Sequence, residues 1–535
     1  KGTQMKNLKR ILLVLLLVFA VGFMTGCKAD ETDVTELAGN YFTDYPETGS
    51  YLISWTDLYA KMDAGDEPFI LSIRSNADYT TSHIEGAYNA AWGTDLASKV
   101  EMLPKDTPVY VYCYSGQTAG QTIALLRLLG IDAYSVKSGF VKGGAASHPE
   151  YLETTANELP DANAEFDQAV LDYVKAYFNA IPETGNHIVS ATDAKVLIDA
   201  GDVSVVDIRS AADFALGHIE GAINIPFGKG MESNFSSLPD GRFLVACYSG
   251  QTAGQTVAIL RAMGHNADSI SYGMSATDGW VKMVKANAAN LYFSAYPASG
   301  SHLISWTDLL AKVDADEDLF VLDIRSAADY ALGHLDGAIN APWGADLGTI
   351  VSQLPKDQTV YVYCYSGQTA GQAIALLNLL GIDAVSVKSG AGTAAANIPA
   401  TYISTVAATL TTANATFDPF ILSHVVAYFN AIATEGSHIV DATAAKTLID
   451  AGTASVVDIR SAADFALGHI DGAVNIPFGL NMQASFNTLP AGKLLVVCYS
   501  GQTAGQTIAV LRTLGYDADS IKSGMNGWNA AFPTT

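Results

Sequence analysis

The nine residues Cys113-Tyr114-Ser115-Gly116-Gln117-Thr118-Ala119-Gly120-Gln121 occur four times without a change, the other copies starting at Cys247, Cys364 and Cys498. Each copy follows a short run of β-branched and aromatic residues, Pro108-Val109-Tyr110-Val111-Tyr112 in the first. Each precedes an apolar stretch with helical spacing that stops at a glycine, Thr122 to Gly130 in the first. This pattern predicts strand, tight loop, helix. Such a loop aims successive backbone N–H groups and a helix N-terminus at the cysteine sulfur, which stabilises a thiolate or an anion bonded to it. The chain is thus expected to repeat one α/β unit four times, each with a site for sulfur chemistry.

Spacing gives the organisation. Successive loop cysteines lie 134, 117 and 134 residues apart, so the first and third, and the second and fourth, are each separated by 251. The duplicated unit was a pair of domains. Tyr51-Leu52-Ile53-Ser54-Trp55-Thr56-Asp57-Leu58 recurs as His302-Leu303-Ile304-Ser305-Trp306-Thr307-Asp308-Leu309, and Ala176-Tyr177-Phe178-Asn179-Ala180-Ile181 as Ala427-Tyr428-Phe429-Asn430-Ala431-Ile432. Within the second unit, Ala191 to Gly201 reads as a helix, Val203 to Ile208 and Phe243 to Cys247 as strands, and Thr252 to Gly264 as a helix. Strands alternating with helices imply a parallel sheet covered on both faces. Domains are expected at 40–142, 173–285, 291–391 and 423–535. The Ala, Thr, Asn and Pro content of 143–172 and 392–422 predicts linkers there, and 286–296 is expected to join the two pairs.

Composition removes several classes of function. A net charge of −25, with only 29 Lys and Arg, argues against nucleic acid and against basic patches on anionic lipid. Ten histidines without paired spacing and no Cys-x-x-Cys predict no metal site, and Asp314-Ala315-Asp316-Glu317-Asp318 lacks the spacing of a calcium loop. Four of the five cysteines open the repeated loop, at equivalent positions of separate domains, so free thiols are expected rather than disulfides. The fifth, Cys27, ends a different segment. Lys6, Lys9 and Arg10 precede an apolar stretch from Ile11 to Val21, followed by Gly22-Phe23-Met24-Thr25-Gly26-Cys27. This reads as an export signal over 1–27, and Thr25-Gly26-Cys27 resembles the lipobox of bacterial lipoproteins, in which the Cys is acylated. The expectation is an exported chain held to a membrane of the cell envelope, on the periplasmic side or at the cell surface, by a lipid on Cys27. A simple cleaved signal or an uncleaved anchor is the alternative.

The repeated loop resembles that of the rhodanese-like sulfurtransferases, whose catalytic Cys opens a six-residue loop at a strand end and carries sulfur as a persulfide. The resemblance covers nearly all the chain after the leader and implies four tandem domains of a small α/β fold. It makes Cys113, Cys247, Cys364 and Cys498 the catalytic residues. The substrate cradle it implies is Ser115, Gly116, Gln117 and Thr118, repeated as Ser249, Gly250, Gln251 and Thr252, as Ser366, Gly367, Gln368 and Thr369, and as Ser500, Gly501, Gln502 and Thr503. A second stretch, Asp207-Ile208-Arg209 to Gly217-His218-Ile219-Glu220-Gly221-Ala222, recurs nearly unchanged from Asp323 and from Asp458. It is similar to the family's Asp-x-Arg and Gly-His-Ile-x-Gly-Ala signature, and implies supporting roles for Asp207, Arg209, Asp323, Arg325, Asp458 and Arg460. The first unit departs from it, with Ser72 in place of the Asp and Ser82 in place of the Gly, which leaves Arg74 without the expected partner.

No Arg or Lys stands in any copy of the loop. The related phosphatases close a longer loop with an Arg on the phosphate oxygens, so phosphatase activity is not expected. The resemblance implies a sulfurtransferase that needs no cofactor and moves sulfane sulfur from thiosulfate or polysulfide to a thiol or cyanide. The alternative is a non-enzymatic carrier with four sites, delivering sulfur to a membrane partner.

Overall fold

The computed structural model describes residues 32–47, 49–143, 145, 148–297, 301–411, 415–532 and 534. The expected export segment and Cys27 lie outside the described residues. Among these residues no helix is long and apolar enough to cross a membrane. They fall into two compact units. One holds the chain up to His187 with Gly228–Phe235 and Gly254–Asn266; the other holds Ile188–Phe227, Ser236–Ala253 and the rest from Ala267.

Four five-stranded sheets follow one plan. In the first the order is Leu52–Ile53, Ala133–Val136, Val109–Tyr112, Phe69–Ser72, Tyr88–Asn89, with every pairing parallel. The third repeats it with Leu303–Ile304, Ala384–Val387, Val360–Tyr363, Phe320–Asp323 and Ile339–Asn340. The fourth uses Ile439–Val440, Ala518–Ile521, Lys493–Val497, Ala454–Asp458 and Val474–Asn475. The second uses Ile188–Val189, Asn266–Ile270, Arg242–Ala246, Ser204–Asp207 and Ile223–Asn224. The strand that ends at the cysteine is central in each, and Val109–Tyr112 is buried along its whole length, as a sheet covered on both faces requires. Helices flank the sheets, and many start at a Ser that caps the backbone N–H three residues on, as Ser54 does for Asp57 at 3.0 Å and Ser210 for Asp213 at 3.1 Å. In the second unit the predicted helices are Ala191–Asp199 and Gln251–Ala262, within two residues of expectation.

The segments 143–172 and 392–422, expected as linkers, are instead largely parts of the first and third domains. Leu152–Glu153 pairs antiparallel with His83–Ile84, and Ile403–Ser404 with His334–Leu335. Tyr151 stacks on Tyr59 with ring centroids 4.1 Å apart. The ring nitrogens of His83 contact Tyr79 O at 2.7 Å and Thr155 O at 3.1 Å, and those of His334 contact Tyr330 O at 2.8 Å and Val406 O at 3.0 Å. Strands of two residues leave no readable periodicity, so composition alone suggested spacers. The stretch 286–296 is likewise mostly helix, within Trp280–Ser294.

Each domain starts with an arm that carries a Tyr-Phe pair, and the arm packs on a loop helix. The hydroxyls of Tyr41 and Tyr45 donate to Gln255 Oε1 at 3.2 and 2.9 Å, and those of Tyr292 and Tyr296 to Gln506 Oε1 at 2.7 and 3.1 Å. Tyr177 donates to Gln121 and Tyr428 to Gln372, at 2.6 and 2.7 Å. Each of these glutamines closes the nine-residue repeat, and its Nε2 donates to Ser50 O, Ser301 O, Asn186 O or Ser437 O, always at 2.9 Å. Burial raises the Tyr41, Tyr292 and Tyr428 phenols well above their usual range, so they stay protonated donors at neutral pH.

A histidine sits where the third and fourth domains pack. His424, on the helix Pro419–Glu435, contacts Thr513 Oγ1 through Nε2 at 3.0 Å. The Thr513 hydroxyl donates to Ala509 O, so it is His424 that donates here. Burial, aided by the charge of Lys285, lowers the His424 pKa to about 4. A group with a depressed folded pKa stabilises above its unfolded value, and that stability is lost as pH falls towards the folded one. Between pH 7 and pH 5 this group alone should cost about 2 kcal/mol of stability, so unfolding of His424→Gln should show a smaller loss over that range than the parent by about that amount; an equal loss in the variant would place the pH dependence elsewhere.

Candidate active site

The four repeated loops share one geometry. Each Cys directly follows its strand and is buried, 1–2% exposed, and all four are free thiols. Three residues on, a glycine in the left-handed region, φ between +90° and +93°, turns the chain into the loop helix. Its N–H donates to the Cys sulfur at 3.0 Å in all four loops: Gly116, Gly250, Gly367 and Gly501. A second N–H, from the third helical residue, reaches the same sulfur at 3.4 Å from Ala253, 3.5 Å from Ala370 and 3.4 Å from Ala504. Sulfur thus lies at the positive end of a twelve-residue helix. The Ser and Thr of the expected cradle stand at its rim, with Ser249, Ser366 and Ser500 exposed and Thr118, Thr369 and Thr503 half-buried.

Two further contacts hold the loop, and sequence reasoning found neither. The loop tyrosine is partly exposed, 39–52%, and its hydroxyl donates to an aspartate on the helix after the Asp-x-Arg strand. The pairs are Tyr114 with Asp78, Tyr248 with Asp213, Tyr365 with Asp329 and Tyr499 with Asp464, each at 2.5 Å. The serine capping the same helix, with the tyrosine, holds each of these carboxylates below the usual aspartate range; the tyrosine bond is the larger cause at Asp329 and the serine bond at the other three. Behind the loop, the Cys carbonyl accepts from Phe140, Met274, Ala391 or Met525 N–H at 2.7–2.8 Å. The residue before each of these is a glycine 26 positions after the Cys. A β-carbon at Gly273, Gly390 or Gly524 would stand 2.2–2.3 Å from the Cys oxygen. That constant spacing was the available signal.

The expected cradle is corrected at its glutamines. Gln368 and Gln502 are buried, and their amides bond the opposite domain of the pair: Gln368 Nε2 donates to Ser520 Oγ at 2.9 Å and Ile521 O at 3.1 Å, Gln502 Nε2 to Ser386 Oγ at 2.7 Å and Val387 O at 3.0 Å. Gln117 and Gln251 are buried too. The cause is close packing of the loop helices. A β-carbon at Gly371 would stand 2.2 Å from Gln502 O, and one at Gly505 2.4 Å from Gln368 O, which leaves these side chains no way out to solvent.

The Asp-x-Arg pairs are internal braces. Arg209 Nη2 reaches Asp207 Oδ2 at 2.6 Å and Gly217 O at 2.6 Å. Arg325 repeats this with Asp323 at 2.5 Å and Gly333 O at 2.8 Å, and Arg460 with Asp458 at 2.6 Å and Gly468 O at 2.7 Å. His218 stacks on Phe214 at 3.8 Å with Nδ1 at Phe214 O. Arg74 is 4% exposed, with Nε unbonded. Its guanidinium bonds Ser82 O and lies 3.8 Å from the centroid of the Phe140 ring, where the third and fourth domains have Ala391 and Met525. A ring face has taken over part of the role of the lost carboxylate. Ser72→Asp should restore the brace and stabilise the first domain by about 1–3 kcal/mol; a lower melting temperature for that variant would mean that the ring already compensates the charge in full.

Among the described residues no cluster of His, Cys, Asp or Glu could hold a metal ion. Comparison with known proteins places the architecture. The family model described as "Rhodanese-like domain" matches residues 54–146, 190–279, 305–393 and 441–531. A candidate sulfurtransferase of Bacillus subtilis, YtwF, is 30% identical over 87 residues, 16% of this chain and 84% of its own. The thiosulfate sulfurtransferase PspE of Escherichia coli is 36% identical over 70 residues, 13% of this chain and 67% of its own. YrkF of Bacillus subtilis, named as a candidate sulfur carrier protein, is 29% identical over 92 residues, 17% of this chain; the match spans about half of its length, 49%. The crystal structure of a thiosulfate sulfurtransferase from Pseudomonas aeruginosa aligns over 90% of this chain and 89% of its own at 17% identity, with a TM-score of 0.18. Carrying four matched copies over most of its length, this chain belongs to the rhodanese-like domain family as a tandem of four.

Proposed function

We propose that the chain is a sulfurtransferase working through persulfides at Cys113, Cys247, Cys364 and Cys498, with thiosulfate or polysulfide as donor and a thiol or cyanide as acceptor. The observation that carries this is the pair of backbone N–H groups on a buried, free cysteine sulfur at a helix N-terminus. In the first half-reaction the thiolate attacks the sulfane sulfur of thiosulfate. An S–S bond forms, the donor's own S–S bond breaks, and sulfite leaves with its electron pair. The N–H groups then face the persulfide. In the second half-reaction cyanide attacks the outer sulfur, the S–S bond to the Cys breaks, and thiocyanate and the thiolate are released.

The neutral loop favours polysulfide over a small dianion within this class, since only backbone N–H groups, hydroxyls and the loop tyrosine are available to it. The same neutrality supports a second reading, a carrier that loads sulfur at four sites and releases it only to a partner. Export, with a lipid on Cys27, belongs to either reading and rests on the leader sequence alone.

Thiocyanate formation from thiosulfate or polysulfide with cyanide, measured for the protein and for the four Cys→Ser variants, tests the proposal. Turnover that falls with each lost cysteine and vanishes in the quadruple variant is the expected result. Stoichiometric loading of one sulfur per cysteine, seen by peptide mass spectrometry without turnover, would replace the enzyme by the carrier.

A further inference from the structure

The glutamine that follows the loop glycine is spent on the other domain. Beyond the Nε2 bonds described above, Gln368 Oε1 accepts from Ser523 N–H at 3.1 Å, and Gln502 Oε1 from Ser389 N–H at 3.4 Å. All three bonds of Gln368 thus fall on 520–523 of the fourth domain. This is the segment that turns at Gly524 and donates Met525 N–H to Cys498 O at 2.7 Å. All three bonds of Gln502 fall on 386–389 of the third domain, which turns at Gly390 and donates Ala391 N–H to Cys364 O at 2.8 Å. The loops also touch directly. A β-carbon on Gly367, whose N–H holds the Cys364 sulfur, would stand 2.6 Å from the Gln502 amide, and one on Gly501 2.6 Å from that of Gln368.

We propose that Gln368 is a positioning residue for Cys498 and Gln502 a positioning residue for Cys364, so that the reactivity of each thiol in this pair is set from the opposite domain. Three hydrogen bonds from a buried side chain fix the backing segment, and the backing segment fixes the Cys carbonyl and the direction in which the loop N–H groups point. Removing the amide leaves two backbone groups and a hydroxyl buried without it, a penalty the backing segment relieves by moving. The glutamine's own cysteine keeps its glycine N–H, its helix N-terminus and its own backing segment.

The consequence for sulfur transfer rests on the proposed function, whereas the test needs no sulfur donor. Alkylation by iodoacetamide is followed across pH 5–9 in the full chain, and each cysteine is read on its own tryptic peptide. In Gln368→Ala, Cys498 should be alkylated at least threefold more slowly at pH 7, with its profile displaced to higher pH, while the Cys364 profile stays in place. Gln502→Ala should do the reverse. Ser520→Ala and Ser386→Ala, which remove one bond each, should give smaller shifts at Cys498 and Cys364 respectively. They decide the matter if the alanine variants at the glutamines do not fold. Profiles that move only for the cysteine of the mutated loop, that move equally for both, or that do not move would overturn the proposal. Crossed shifts without turnover would leave the positioning role standing and remove only the sulfurtransferase reading.

Discussion

Everything in this protein is arranged about backbone N–H groups converging on a sulfur atom at the carboxyl end of a parallel strand. That convergence needs a residue in the left-handed region between strand and helix, supplied by Gly116, Gly250, Gly367 and Gly501. It needs a helix whose first turn has no side chain competing for its N–H groups. It also needs a support behind the loop, and the glycines 26 residues after each cysteine let that support come within hydrogen-bond distance of the Cys carbonyl. The central place of the cysteine strand puts the site where loops from two neighbouring strands can reach it, which is where open parallel sheets bind their ligands.

The fold and the cysteine site were legible because the repeat states them four times. A strand-length apolar run, an invariant loop and a helical period leave little choice, and the predicted bounds of the second unit's helices fall within two residues. What was not legible came from contacts between segments distant in sequence. The Tyr114–Asp78 latch joins residues 36 positions apart, and neither residue type announces the other. Gln368 looked like a cradle residue because it stands in the loop; only the packing of two loop helices, touching at Gly371 and Gly505, sends its amide elsewhere. The small strands at 152–153 and 403–404 were hidden because two residues carry no period.

The nine identical residues therefore serve two purposes. Cys, the first Gly and the Ala build the sulfur site; the first Gln, the second Gly and the last Gln join domains. The last Gln clamps the tyrosines of the arm, and the first crosses between loops in the second pair. The first domain shows which part tolerates change. Its Asp-x-Arg brace has lost the carboxylate and set a phenylalanine ring against the arginine, while its loop is unaltered.

The helix Trp280–Ser294 joins two cores. Trp280 and Met283 at its start are buried in the core of the second domain, and Ala289, Tyr292 and Phe293 near its end in the core shared by the third and fourth. Fifteen residues of helix span about 22 Å, and both ends are embedded in apolar packing. A flexible connector would let a downstream domain sample many orientations, as beads do on a string. Here the covalent link is itself a structural member, and bending it would mean breaking helical hydrogen bonds or emptying one of the two cores. The second domain is thus spliced to the pair that follows it through a stiff shared beam, so that the Cys247 loop is carried at a set spacing from those of Cys364 and Cys498 rather than at the whim of chain entropy.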